Sequence, residues 1–120
     1  MKTDAPLLFL FCSPPLAGSG MAAGLDLLLT AASFDQPVSV VFAGVGVQGL
    51  LAQKSASVSA RNPALALGAL DLYGIDEVCA SRDDIERYNV DITLPGITVK
   101  ALEDAEIQAL VRQASQVMVY

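Results

Sequence analysis

Apolar residues run along this chain in short blocks, each closed by proline, glycine or a cluster of small polar residues. Pro6 to Cys12 (PLLFLFC) is continuously apolar and of strand length, the pattern of a strand buried on both faces. The loop SPPLAGSG follows. From Met21 to Phe34 the run MAAGLDLLLTAASF has helical composition and stops at the turn Asp35-Gln36-Pro37. Val38 to Ala43 (VSVVFA) is β-branched and predicts a second strand. GVGVQGLLAQK reads as a glycine-rich turn with a short helix around Val47 to Ala52, and SASVSARN as a polar loop.

Asn62 can cap a further helix with Pro63 at its first position, running through ALALGALDLYG to a stop at Gly74. Ile75 to Ala80 predicts a third strand. Ser81 is placed as the N-cap of the next helix, whose first turn holds Asp83 and Asp84, where the helix dipole favours anions. Beyond Asn89 the chain reads as loop until ITVKAL, a short fourth strand. EDAEIQALVRQA is amphipathic, with Ile107, Leu110 and Val111 on one face and acids crowding its start. VMVY closes the chain as a fifth strand. Strands alternate with helices throughout, which predicts an α/β fold: a three-layer α/β/α sandwich around a mainly parallel five-stranded sheet. With no linker or repeat in view, residues 1–120 are expected to form one domain.

Composition sharpens this picture in three ways. Apolar residues are 53% of the chain and charged residues only 17%, an apolar surplus better housed in a protein–protein interface than in water. The net charge of −6 is a poor footprint for nucleic acid, so no direct contact with it is expected. No apolar run reaches the roughly 18 residues of a membrane span. The opening MKTDAPLLFLFCSPPLAGSG imitates a secretory leader, but Asp4 spoils its positive start and Pro14-Pro15 ends its apolar stretch early. A first strand explains the same residues better, and a cytoplasmic location is expected.

Candidate chemistry is sparse. The chain has no histidine, which removes Ser-His-Asp and Cys-His arrangements unless another chain supplies the base. Its two cysteines, Cys12 and Cys79, form no metal or CxxC pattern. Ligand sites of open parallel sheets lie beyond the carboxyl ends of the strands. Here that means residues 13–20, 44–49 and 81–84, with Cys12 and Cys79 both expected on that side. Gly18, Gly20 and Gly24 are spaced GxGxxxG, not as the dinucleotide fingerprint, and read as a tight strand-to-helix turn. Asp83 and Asp84 read as solvated partners of the helix dipole. Cys79 is either a small buried hydrophobe or a working thiol whose pKa Arg82 lowers. Ser81, not Cys79, occupies the helix mouth.

The succession GLDLLLTAASFDQPVSVVF, GVGVQGLLAQK and LGALDLYGIDEV, followed by a helix opening with acids, resembles the DsrE/DsrF-like sulfur-relay family over roughly residues 7–120. It is most similar to the TusC/DsrF type of subunit. The resemblance implies an α/β sandwich that assembles with TusB-like and TusD-like sister subunits. It also implies a cytoplasmic complex that passes persulfide sulfur from a TusA-type donor to a TusE-type acceptor, with no metal or organic cofactor, in support of 2-thiouridine synthesis at the tRNA wobble position or related sulfur trafficking. Laid on LYGIDEVCASRDDIERYNV, the cysteine position of sulfur-carrying relatives falls on Ser81. Tyr88-Asn89-Val90 stand where Arg-Gly-Leu often ends the helix, and Val45 where an acid is expected before Gly46. The resemblance therefore implies a subunit more scaffold than catalyst, with the active cysteine on the TusD-like partner and Cys79 at most a secondary thiol. The alternative is a stand-alone homo-oligomeric binding module on the same fold.

Overall fold

Each apolar block of strand length becomes a strand of one sheet. In a computed structural model of the chain, which describes residues 5–12, 20–54, 74–75, 77–90 and 98–120, the strands are β1 (Leu7–Phe11), β2 (Val38–Phe42), β3 (Glu77–Ser81), β4 (Thr98–Leu102) and β5 (Gln116–Val119). They run in the order β4-β3-β2-β1-β5, and every neighbouring pair is parallel. The sheet is thus wholly rather than mainly parallel. The segment that imitates a leader is an interior strand: β1 lies between β2 and β5, and Leu8, Phe9 and Phe11 are fully buried.

Partners in register point to the same side of a sheet. One face therefore carries Phe9, Phe11, Val40, Phe42, Val78 and Ala80, all at or near zero exposure. Helix α1 (Gly20–Ser33) packs Leu25 and Leu28 onto this face. The 3-10 helix Gly44–Lys54 adds Val47 and Leu50, and the short helix α2 (Arg82–Arg87) adds Ile85. Aromatic rings fill the centre, with Phe11 stacked on Phe42 at 5.2 Å and on Tyr120 at 5.8 Å between ring centroids. Helix α3 (Asp104–Gln113) lies by the opposite face, where its Ala109 and Leu110 border a cavity shared with Cys79 and Leu102. Helices on both faces give the three layers.

Local chemistry sets the element ends. Helix α1 stops where Asp35 takes a left-handed φ of 60° and Pro37 forbids continuation. Helix α2 is followed by Asn89 at φ 50°, a conformation asparagine tolerates better than most residues. Helix α3 opens with Glu106 Oε1 accepting the Glu103 backbone N–H at 3.1 Å, half of a capping box. Its expected apolar face is only partly covered: Ile107 and Leu110 are half-buried and Val111 is 38% exposed. GVGVQGLLAQK is helical over its whole length as a 3-10 helix, longer than the short helix expected around Val47 to Ala52. The helix expected from Asn62 to its stop at Gly74 lies outside the described residues up to that stop, and so does the loop expected at 90–96 apart from Val90. Among the described residues no helix is long and apolar enough to cross a membrane.

Candidate functional site

Three chain segments meet at the carboxyl ends of β1, β2 and β3. Cys12 immediately follows β1, its backbone N–H donating to the Tyr120 carbonyl at 2.7 Å. Gly44 follows β2 by one residue and takes φ 56°, in the left-handed region that glycine enters without strain. The turn it opens folds back on β1: the Ala43 N–H donates to the Phe11 carbonyl at 3.0 Å, and Gly46 N–H to the Ala43 carbonyl at 3.0 Å. Gly46 sits so close to the Phe11 and Cys12 backbone that any side chain would overlap it.

Helix α2 springs directly from β3. Ser81 keeps extended backbone angles (φ −65°, ψ 121°), and its Oγ accepts the Asp84 N–H at 3.4 Å. It is therefore the N-cap expected from the sequence. At 3% exposure its hydroxyl is closed off from solvent. The two aspartates of the first turn part company. Asp83 is exposed, as a dipole partner should be. Asp84 is half-buried, and its Oδ2 accepts the Gly44 N–H at 2.6 Å, a short charge-assisted bond. The reading of Asp84 as a solvated dipole partner is thus corrected: it ties α2 to the turn after β2. Nothing in the local sequence signals a contact 40 positions away.

The two thiols occupy different places. Cys12 is on the carboxyl side of the sheet, half-buried, and burial pushes its pKa up, with the negative charge of Asp84 adding to the effect. Cys79 is mid-strand in β3, in register with Val41 and Lys100, on the face opposite the aromatic core. It lines a cavity bordered by Asp35–Pro37 and Gly74–Ile75, at the amino ends of β2 and β3. Both thiols were expected on the carboxyl side; only Cys12 is there. The proposed activation of Cys79 by Arg82 also fails. Arg82 instead pairs with Glu103 at 3.0 Å, both side chains more than half exposed, a contact worth little. Burial first and then Glu77 raise the Cys79 pKa; Lys100 opposes them, and Glu106 adds to the rise. Each thiol therefore holds its proton more firmly than a free cysteine. Among the described residues no three His, Cys, Asp or Glu side chains converge as a metal site would require.

The model of the DsrE/DsrF-like family matches residues 5–120, nearly the whole chain. The chain belongs to that family. Among relatives of this DsrE/DsrF-like chain, "Protein TusC homolog" of Vibrio vulnificus is 30% identical over 113 residues, covering 93% of this chain and 96% of its own. "Protein TusC" of Klebsiella pneumoniae is 31% identical over 90 residues, 74% of this chain and 76% of its own. Among solved structures, the ychN protein of E. coli superposes with a TM-score of 0.80 over 97% of this chain and 99% of its own, at 15% identity. That likeness concerns the fold: a parallel five-stranded sheet flanked by helices.

Proposed function

We propose that this chain is a TusC-like, non-catalytic subunit of a cytoplasmic persulfide-relay complex. In such a relay a thiolate attacks the outer sulfur of a persulfide, the S–S bond breaks, and the donor leaves as a thiolate while the acceptor becomes the persulfide. The observation that carries the reading is Ser81. It stands where sulfur-carrying relatives are expected to place their cysteine, its oxygen cannot hold a persulfide, and it is buried at 3% exposure. The nearest thiol, Cys79, lies one strand step back on the same face of β3, and burial raises its pKa. The relationship to TusC proteins supports assembly with TusB-like and TusD-like sisters, the latter bringing the active cysteine. A TusA-type donor and a TusE-type acceptor then act through the complex, toward tRNA wobble thiolation or related sulfur trafficking.

Two measurements test this. Affinity purification of the chain from its native extract is expected to bring down two further small α/β subunits; a homo-oligomer alone overturns the reading in favour of a stand-alone module. Incubation of the isolated chain with a small-molecule persulfide, followed by intact mass spectrometry, is expected to leave it unmodified. A stoichiometric one-sulfur adduct on Cys79 would make it a carrier in its own right.

A further inference from the structure

β5 is the unguarded edge of the sheet. It pairs with β1 alone, and its other side meets no described strand. The Tyr120 N–H donates to the Leu10 carbonyl at 2.9 Å, and the Tyr120 carbonyl accepts the Cys12 N–H at 2.7 Å. Backbone groups of successive strand residues point to opposite edges, so Val119 and Val117 turn their N–H and C=O groups outward. Natural edge strands are commonly protected by lysine, proline or a bulge. β4, at the far edge, carries the exposed Lys100, whereas residues 113–120 include no charged side chain and no proline. Exposed apolar side chains flank the same edge. Val119, in register with Leu10 on the α3 face, is 63% exposed. On the other face Gly24 of α1 lies against the Tyr120 ring, which puts Leu27, one turn on and 43% exposed, on the flank toward β5.

We propose that this edge pairs with β5 of a second copy of the chain, antiparallel about a two-fold axis between the two Met118 residues. The order Val-Met-Val reads the same in both directions and therefore complements itself. Val117 of each copy exchanges both backbone hydrogen bonds with Val119 of the other, and the valine side chains pack side by side. Charge favours the same occupant. Each chain carries −6, so two copies repel unless they meet through a neutral strip, and residues 113–120 supply one. The inference does not rest on the proposed relay role, since two copies can pair this way alone or with sister subunits bound.

The register is tested by treating the full chain with diamide, which oxidises two thiols to a disulfide. Residues facing each other in a non-hydrogen-bonded antiparallel pair have Cα atoms about 4.5 Å apart, within disulfide reach. Met118→Cys is therefore expected to cross-link into a covalent dimer about tenfold faster than Gln116→Cys, whose thiol would stand across from Tyr120, or than the wild type with its own two cysteines. Sedimentation velocity supplies the second readout. The wild-type chain is expected to dimerise as its concentration rises, and Val119→Lys, at a side chain already exposed, to raise the dimer dissociation constant about tenfold while circular dichroism stays unchanged. A wild-type chain that stays monomeric, a dimer that Val119→Lys leaves intact, or equal cross-linking from positions 116 and 118 overturns the proposal. Sister subunits that copurify with the wild type but are lost from Val119→Lys would mean that a sister covers the edge; the second copy then falls and the relay reading stands. A dimer with the expected register and no copurifying sisters would do the reverse.

Discussion

At the residue scale, two side-chain decisions shape the carboxyl side of the sheet. Gly46 is the first: a methyl group there would collide with the Phe11 carbonyl, which β1 holds rigidly in the sheet centre. Gly46→Ala is expected to destabilise the fold by about 3 kcal/mol, read as a fall in the denaturation midpoint, because backbone cannot yield as a rotamer can. Asp84 is the second. Its charge helps hold Cys12 protonated, so Asp84→Asn should lower the Cys12 pKa toward the ordinary thiol value without reaching it, since burial remains. The pH profile of Cys12 alkylation is then expected to move to lower pH, with that of Cys79 unmoved. The asparagine oxygen can still accept the Gly44 N–H, which keeps the turn in place.

At the scale of elements, most of the fold was legible because it depends on short-range pattern. The strand blocks were continuous and apolar, and four described helices or turns began and ended within a few residues of their punctuation. Ser81 as N-cap of α2 could be read from its position before two acids. Its long 3.4 Å bond makes it a modest cap, so Ser81→Ala should cost about 0.5–1 kcal/mol in chemical denaturation. What could not be read were facts of orientation and distance. Period-2 alternation puts Cys79 and Ser81 on the same face of β3, yet only the assembled sheet shows that Cys79 lines a cavity with Ala109 and Leu110 of α3. Arg82 looked like a neighbour of Cys79 along the chain, but its side chain turns to Glu103 of a different element. Asp84 and Gly44 meet only because β2 and β3 lie side by side.

At the scale of the molecule, the apolar surplus remains visible after folding. Phe34 is 79% exposed, Val119 63% and Leu27 43%, which suits a chain whose surface is completed by others. The same scale reveals how the sheet is joined. β5, β1 and β2 form one fully paired block and β3 with β4 another, and the seam between them has just two register pairs. Just beyond its paired end, the hydrogen bond from Gly44 to Asp84 clasps the seam. Such an arrangement is two blocks joined by a latch, and it predicts two separable units of native-state hydrogen exchange. In Asp84→Ala, which removes the latch, amides of Cys79 to Ser81 are expected to exchange faster while those of β1 hold their protection. Uniform acceleration across the sheet would show instead that the two blocks open as one. A single carboxylate would then set how independently the two halves of this protein breathe.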